Sequence, residues 1–177
     1  MFTTLLALSL AAPVPKETKA KLYLPTKEGT KSVMVSTLGN NTAEIVEKVR
    51  KVESTAGGFV VTMEGPSESV VYEVTGKGVF RRFGPDKRLL AVLDLSKTGD
   101  GKWEVKLTED ETASFTMGKV EEIEVPAGKF QALRVDEEAR TGRHTVWYAE
   151  GVGVVKSVSV HAGQVMTQEL KSFTPGK

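Results

Sequence analysis

Apolar and polar residues alternate along several short segments of the chain. In the clearest segment, Trp103, Val105 and Leu107 alternate with a glutamate, a lysine and a threonine. Successive side chains of a β-strand point to opposite faces, so this pattern predicts a strand with one buried and one solvated face. Two further segments also favour strands but are apolar on both faces in places, residues 59–64 (FVVTME) and 70–75 (VVYEVT).

Glycine-containing turns separate these segments, at residues 56–58, 76–78, 84–86, 126–128, 140–142 and 162–164. Their spacing of roughly 10 to 20 residues is typical of consecutive antiparallel hairpins. The pattern therefore predicts an all-β protein with a single domain over residues 20–174. We expect about ten antiparallel strands in a strongly curved sheet, which would form a half-barrel or an open barrel.

Residues 43–53 (AEIVEKVRKVE) are the one segment with a competing interpretation. Ile45, Val46, Val49 and Val52 lie at helical spacing, which would give one short helix packed on the concave face of the sheet. The segment also runs directly into the glycine turn at residues 56–58, like the first arm of a hairpin, and its valines suit an extended backbone. We predict a strand and keep the helix as the alternative.

Composition supports strands and excludes several kinds of protein. The chain has 24 valines and 18 threonines among 177 residues, and β-branched side chains fit a pleated sheet better than a helix. It has no cysteine, which excludes disulfides, thiol nucleophiles and cysteine metal sites. A net charge of +1 supplies no long-range field, so we expect no nucleic-acid partner.

Residues 1–12 (MFTTLLALSLAA) form a short apolar run that ends in small residues. Ser9 and Ala11 have the small-x-small spacing of a signal peptidase site, which predicts a signal peptide and Ala12 as the mature N-terminus. The run is too short for a transmembrane helix, which needs about 20 apolar residues. We therefore expect an exported protein, periplasmic or secreted and soluble after leader removal, in which a charged segment at residues 13–19 precedes the β domain.

The chain has two histidines, His144 and His161, which could be neighbours. If residues 143–150 and 154–161 form a hairpin in which Trp147 faces Val158, the indole lies in the core. The same register places His144 opposite His161 on the solvent face. Two imidazoles are too few for a metal site, and no carboxylate is placed by sequence to complete one, so we predict no metal and no other cofactor.

Three other patterns have simple structural explanations. Residues 94–102 resemble a calcium loop, but the bidentate glutamate expected at its twelfth position is replaced by Val105. Residues 80–83 (FRRF), followed by Lys87 and Arg88, mix aromatic and cationic side chains as proteins that bind single-stranded nucleic acid do. Cationic side chains also protect the edge of a sheet from aggregation, and we favour this second interpretation. The acidic runs are most simply charges of turns and solvated faces.

Motifs for catalysis are missing from the sequence. It contains no G-x-S-x-G, no phosphate-binding P-loop and no dinucleotide fingerprint, and nothing in it locates a pocket for paired catalytic carboxylates. We therefore predict no catalytic residues and a protein that is not an enzyme. The alternatives are an uncharted enzyme with a site near His144 and His161, or a purely structural envelope module.

The C-terminal half carries a recognisable combination of hairpins at residues 122–133 (EIEVPAGKFQAL) and 145–156 (TVWYAEGVGVVK), followed by residues 169–173 (ELKSF). It resembles the TapB-like exported bacterial proteins, whose function is unknown and in which a V-P-A-G-x-F hairpin precedes a W-Y-x-x-G-V-G-x-V-K hairpin. The resemblance covers residues 20–174 and is specific mainly over residues 122–173. It implies a curved antiparallel sheet broadly like the lipid-carrying LolA-type folds, and no known catalytic residues.

Strands that are apolar on both faces need cover from a ligand, a helix or a second sheet. Val60 beside Phe59 and Val61, and Trp147 between Val146 and Tyr148, are such places. We therefore expect a non-catalytic, exported binding or envelope-associated module whose sheet presents an apolar surface to a lipid-like small molecule or an envelope protein. The sequence leaves the ligand-binding residues and the oligomeric state open.

Overall fold

The computed structural model describes residues 20–84, 86–97 and 101–177, so the predicted signal peptide and charged N-terminal segment lie outside the described residues. All regular structure in these ranges is β-strand, and none of their residues is helical. The strands are β1 (Lys31–Leu38), β2 (Asn41–Thr55), β3 (Gly58–Glu64), β4 (Ser69–Thr75), β5 (Gly78–Phe83), β6 (Arg88–Asp94), β7 (Lys102–Lys106), β8 (Thr112–Val125), β9 (Gly128–Ala139), β10 (Gly142–Ala149), β11 (Gly153–His161) and β12 (Gln164–Thr174). The described part of the chain accordingly contains no helix that could span a membrane.

The twelve strands form one antiparallel sheet in the order β6-β5-β4-β3-β2-β1-β12-β11-β10-β9-β8-β7. Neighbours along the chain pair as hairpins, except that β6 does not pair with β7, and β12 returns to pair with β1. The predicted all-β class and curved antiparallel sheet are confirmed, with twelve strands in a nearly closed barrel rather than about ten. The predicted turns at residues 56–58, 76–78, 126–128, 140–142 and 162–164 are found between consecutive strands.

Residues 43–53 belong to the long strand β2, which confirms the extended interpretation of this segment. Ile45 pairs with Met34 of β1, and Val52 pairs with Val61 of β3. A register shift near Val49 lets the strand bend between its two neighbours. The helical spacing of the valines thus arises from a bulged strand with partners on both sides.

The two edge strands, β6 and β7, meet at a seam that side chains hold together. The indole Nε1 of Trp103 in β7 donates a hydrogen bond of 2.9 Å to the carbonyl oxygen of Ala91 in β6. The guanidinium of Arg88, also in β6, donates to the carbonyl oxygen of Leu107 after β7. Because each bond satisfies a backbone group that a sheet edge leaves unpaired, the seam replaces the missing strand ladder.

Residues 20–30 form an N-terminal strap across one end of the barrel. The strap begins against the β4–β5 turn, since a Cβ placed on Gly76 would lie 3.0 Å from the Cβ of Ala20. It then reaches the β10–β11 turn, where the Gly151 amide donates a 2.7 Å hydrogen bond to the Leu22 carbonyl. Finally, its residues 29 and 30 exchange two 2.8 Å backbone hydrogen bonds with Val49 of β2.

The strap also fills the interior at this end. Tyr23 and Leu24 are 8% and 5% exposed and belong to the main hydrophobic cluster, which includes Val61, Val135 and Tyr148 from three different strands. Burial of a large apolar side chain contributes about 1.5–3 kcal/mol to folding, so these two side chains stabilise the packing of the strap against the barrel.

A second apolar cluster forms where the tip of the β8–β9 hairpin folds back towards β12. The Ala127 amide at this tip donates a 2.9 Å hydrogen bond to the carbonyl of Leu170. Leu170 and Val155 are fully buried in the cluster, together with Val125 and Ala132 of the hairpin. The V-P-A-G turn singled out in the sequence therefore has a packing role.

Candidate functional site

The interior of the barrel contains a cavity of 260 Å³, slightly below the roughly 300–1,000 Å³ of typical small-molecule sites. Among the described strands, all except β7 contribute to its wall. Apolar side chains make up the largest part of this wall, and Leu24 and Pro25 of the strap close it on one side. The apolar lining residues are Leu24, Pro25, Met34, Met63, Val70, Val79, Val92, Phe115, Val135, Val146, Val152 and Val154.

Acidic, basic and histidine side chains interrupt this apolar wall at four positions, Glu47, Arg81, Glu137 and His144. Strand pairing explains part of the arrangement, because Glu137 of β9 lies directly opposite His144 of β10. The His144 Nδ1 and Glu137 Oε2 atoms are 3.5 Å apart. The Nη2 atom of Arg81 lies 3.4 Å from Oε1 of Glu68, so the guanidinium already has one carboxylate neighbour.

Glu47 has no such neighbour. Its side chain makes no hydrogen bond or ion pair with any other residue in the described part of the chain, although it lines the cavity. Burial raises the pKa of the Glu47 carboxyl above its usual range, because desolvation disfavours the charged form. An ionised carboxylate in this position carries a desolvation cost unless a partner that enters the cavity compensates it.

Two tyrosines, Tyr72 and Tyr148, also line the cavity. Burial raises the pKa of Tyr72, while the attraction of Arg81 opposes this effect and the charge of Glu47 adds to it. Burial likewise raises the pKa of Tyr148 far above its usual range, with further contributions from Tyr72 and Glu137. Glu47, Tyr72, Tyr148 and Glu137 all line the cavity, and together we call them its polar region.

Tyr148 is the most buried member of this region, with only 6% of its surface exposed. Its hydroxyl makes no hydrogen bond to another described residue, and the side chain lines the cavity. The Ser32 side chain is 7% exposed and also lines the cavity, and its hydroxyl likewise makes no hydrogen bond to another described residue. Buried polar groups in folded proteins are normally hydrogen-bonded, and the buried cavity atom that lacks a partner among the described residues is Nε of Arg81. This atom and the two hydroxyls are available to a partner that enters the cavity.

The predicted pairing of the histidines is wrong. His144 lies opposite Ser159, and His161 lies opposite Gly142 at the far end of the hairpin. Trp147 pairs with Lys156 instead of Val158, because the turn begins earlier and a bulge follows it. His144 lines the cavity, whereas His161 is exposed.

The predicted faces of β10 are inverted as well. Val146 and Tyr148 are buried in the interior, and Trp147 lies on the outer side. There the indole Nε1 donates to Glu121, and the guanidinium carbon of Arg134 lies 5.8 Å from the ring centroid. These two contacts satisfy the polar edge and the face of the indole outside the main core, which explains how the largest side chain of the strand can face outwards.

The cationic segment at residues 80–83 is not at a sheet edge, so its predicted protective role is wrong. It forms most of β5, which lies between β4 and β6. Arg81 points into the cavity, whereas the Nη2 atom of Arg82 lies 2.9 Å from Oε1 of Glu73. The calcium-like segment at residues 94–102 falls partly outside the described residues, and within the described ranges no group of three acidic, histidine or cysteine side chains could hold a metal.

Sequence reasoning missed Glu47, Arg81, Glu137 and Tyr148 as cavity residues. A usable signal existed for Glu137 and Arg81, since each occupies an inward position of its strand where the pattern would place an apolar residue. For Glu47 the bulge in β2 obscured which positions face inwards.

Comparison with known proteins identifies the fold. No family model matches the chain, and no curated protein matches its sequence. A protein of Bacteroides fragilis, inferred to be exported and described as having a YmcC-like fold, is similar with a TM-score of 0.60 and 14% identity, over 87% of this chain and 99% of that one. A protein of Parabacteroides distasonis, inferred to be a lipoprotein, is similar with a TM-score of 0.57 and 16% identity, over 89% and 100% of the two chains.

These similarities show that the chain has the fold of the two proteins. The fold-level part of the predicted resemblance, to exported bacterial β proteins, is thereby supported, whereas the TapB-like hairpin motif stays a prediction. A LolA superfamily protein of Nitrosomonas europaea reaches a TM-score of 0.29, so the closer likeness to LolA-type folds also stays a prediction.

Proposed function

We propose that this protein is a non-catalytic, exported binding protein that holds a small amphiphilic, lipid-like molecule inside its barrel. The observation that carries the proposal is the 260 Å³ cavity, whose mainly apolar wall includes a few polar groups that lack partners. Such a combination is typical of small-molecule sites, in which apolar surface supplies affinity and a few polar groups fix orientation.

Export rests on two further observations. Residues 1–12 have the features of a signal peptide, and the two proteins with the same fold are inferred to be an exported protein and a lipoprotein. Expression of the full chain in a bacterial host, followed by mass analysis of the periplasmic fraction, tests this part. We expect a mature chain that begins at Ala12; a full-length cytoplasmic product would contradict export.

A series of 1-alkanols from six to twelve carbons tests the cavity. Each additional buried methylene contributes about 0.8 kcal/mol, so the dissociation constant measured by calorimetry should fall about fourfold per carbon until the cavity is full. Native mass spectrometry after gentle purification should show the same ligands bound one to one. Absence of binding at every chain length would contradict the proposal.

A pair of neighbouring valines supplies a matched control. Val70 lines the cavity, while Val71 points to the other face of β4. Val70→Trp should fill part of the cavity and weaken alkanol binding at least tenfold, whereas Val71→Trp should leave it unchanged. Circular dichroism confirms that both variants are folded, and equal binding by the two would place the ligand elsewhere.

An enzyme remains a second candidate because His144 and Glu137 form a histidine–carboxylate pair within the cavity. Such a pair can act as a general base when a nucleophile lies within hydrogen-bond reach. Against this, no serine or threonine hydroxyl of the described residues is hydrogen-bonded to His144. We expect His144→Ala to retain alkanol binding, whereas loss of a turnover activity found by screening would favour the enzyme.

A further inference from the structure

One buried nitrogen atom of the cavity wall has no partner, and this atom is a hydrogen-bond donor. Nε of Arg81 is shielded from solvent and makes no hydrogen bond to another described residue, and the Arg81 side chain lines the cavity. Arginine carries N–H donors only and stays charged at physiological pH. Because a buried donor without a partner is costly, this atom indicates that a molecule entering the cavity supplies an acceptor oxygen.

The ion pair of Arg81 leaves this donor free. Among the described residues, Arg81 pairs with Glu68, through an Nη2–Oε1 distance of 3.4 Å, and the Glu68 side chain is 70% exposed. Water screens an ion pair as exposed as this one, so its two charges attract each other only weakly. Glu68 therefore neither accepts from Nε nor cancels the charge of the guanidinium.

Arg81 also lies where the cavity adjoins the surface. Arg81 and Val70 line the cavity and, in addition, a surface groove of 330 Å³ beside the β3–β4 and β5–β6 connections. Lys87 and Arg82 line the same groove, and Arg82 has its own carboxylate partner on β4. A head group held by Arg81 thus keeps access to water, which lowers the cost of binding a charged group there.

The wall around Arg81 tolerates a negative charge. Tyr72 lies directly opposite Arg81 in the sheet. Burial raises the pKa of Tyr72, and among the charges that act on its hydroxyl the attraction of Arg81 has a larger effect than either Glu47 or Glu68. Burial also raises the pKa of Glu47, which favours its uncharged form. Glu137 faces His144, and its strand β9 is separated from β5 by β6, β7 and β8 around the barrel.

The apolar part of the wall continues from Arg81 towards the strap. Val79 precedes Arg81 by two residues on β5, so both side chains lie on the same face, and both line the cavity. Val79 is next to the β4–β5 turn, where the strap begins, and Leu24 of the strap lines the cavity as well. An alkyl chain whose head group lies at Arg81 would therefore extend along this apolar surface.

We propose that the cavity is selective for fatty acids, and that the ligand carboxylate accepts a hydrogen bond from Nε of Arg81 while the alkyl chain runs towards the strap. This inference rests on the proposed function, since it names the class of ligand for the same cavity. Guanidinium and carboxylate form charge-assisted hydrogen bonds, which are roughly twice as strong as neutral ones. An alkylammonium ion offers only donors and cannot satisfy this nitrogen.

Three ligands with the same eight-carbon chain separate the inference from the proposed function. Octanoate, 1-octanol and octylamine are each titrated into the mature protein by calorimetry at pH 7. We expect octanoate to bind about tenfold more tightly than octanol, and octylamine to bind most weakly. Equal affinities, or tightest binding of octylamine, would overturn the selectivity for fatty acids while leaving the proposed function intact. Binding of none of the three would contradict both.

Two substitutions of Arg81 separate its Nε donor from its charge. Arg81→Met removes both and should weaken octanoate about tenfold, but octanol by no more than about threefold, because a neutral hydroxyl accepts the weaker bond. Arg81→Lys keeps a positive charge and replaces the Nε–H by a methylene, so it should still weaken octanoate several-fold. Unchanged octanoate binding by Arg81→Lys would refute the role of Nε.

The neighbouring arginine supplies the matched control. Arg82 is the next residue on β5, and its Nη2 atom lies 2.9 Å from Oε1 of Glu73. Arg82→Met removes the same charge one position away and should change octanoate binding by less than about twofold, because alternation places this side chain on the other face of the strand. Circular dichroism verifies that each variant is folded. Equal weakening by Arg81→Met and Arg82→Met would mean that only the overall charge matters, which would contradict the proposed contact.

Discussion

The seam between β6 and β7 gives a sharp test of how the barrel closes. Trp103 is 7% exposed, and its Nε1 bond to the Ala91 carbonyl is the contact that joins the two edges at this point. The same indole stacks on Phe115, with ring centroids 5.2 Å apart and planes inclined by 10°. Trp103→Phe retains an aromatic ring for the stacking but removes the donor.

The expected loss follows from two contributions. Removal of the indole donor leaves the Ala91 carbonyl without this partner, which costs about 1–3 kcal/mol. The smaller ring leaves a void that adds roughly 1 kcal/mol. Together they predict that Trp103→Phe lowers the free energy of unfolding by about 3 kcal/mol, a large fraction of the roughly 5–15 kcal/mol of a typical domain.

The protein contains its own control, because its only other tryptophan also donates an indole hydrogen bond. Trp147 bonds to Glu121 on the solvated outer surface, where water can replace the lost partner. Trp147→Phe should therefore lower the free energy of unfolding by less than about 1 kcal/mol. It also leaves Trp103 as the sole tryptophan fluorophore, so that its emission reports on the seam.

Urea unfolding followed by circular dichroism measures both variants. A fall in the transition midpoint without a change in slope would mean that the seam stays closed in the folded Trp103→Phe protein, and a reduced slope would mean that the edges separate before global unfolding. Equal losses for the two variants would refute the argument that the indole bond closes the barrel.

Three further outcomes are expected. The pKa of Glu47 is raised above 4.5 in the folded protein, so the folded state holds a proton at pH values where the unfolded state has lost it. The free energy of unfolding should therefore fall as pH rises from the unfolded-state pKa to the folded-state pKa of Glu47. Glu47→Gln should remove this dependence from urea midpoints measured between pH 4 and 8. A Cβ on Gly78 would lie 1.9 Å from the Leu93 carbonyl oxygen at a φ of 141°, so Gly78→Ala should cost about 2–4 kcal/mol by the same assay, whereas Gly57→Ala, with open space around it, should cost less than about 0.5 kcal/mol. Leu24→Ala should cost about 2–5 kcal/mol by urea unfolding, because it empties the buried part of the strap; a smaller loss would mean that the strap does not hold the barrel closed.

The fold was predictable from sequence because its hairpins are local. Alternation around Trp103 and the glycine turns located strands without any knowledge of their partners, and consecutive antiparallel pairing then follows from short connections. The structure has twelve strands rather than about ten, and the turn at Gly39 between β1 and β2 is one that the pattern did not identify. Closure of the barrel could not be predicted, because it depends on side-chain contacts between β6 and β7. The alternation of apolar and polar residues along each strand carries no information about these contacts.

The site was harder to predict because bulges decide which residues face inwards. In β10 the large indole of Trp147 suggested a core position, yet its contacts with Glu121 and Arg134 accommodate it outside. Because Trp147 faces outwards, His144 faces the cavity, and the register places it opposite Ser159 instead of His161. A period of two fixes the alternation of faces but not which face is buried, so one wrong assignment inverts the whole strand.

The number of strands explains why the barrel of a valine-rich chain has polar groups in its interior. Side chains just fill the interior of an eight-stranded barrel, and a wider barrel leaves space that ordinary core residues cannot occupy. Here the strap and the stack of Trp103 on Phe115 fill part of that space, and the cavity is what remains. Glu47 and Tyr148 can face inwards only because this space admits a partner for them, since a packed valine core would leave both unsatisfied. The polar groups and the unfilled volume are therefore consequences of the same geometry, which favours a binding site over a structural defect.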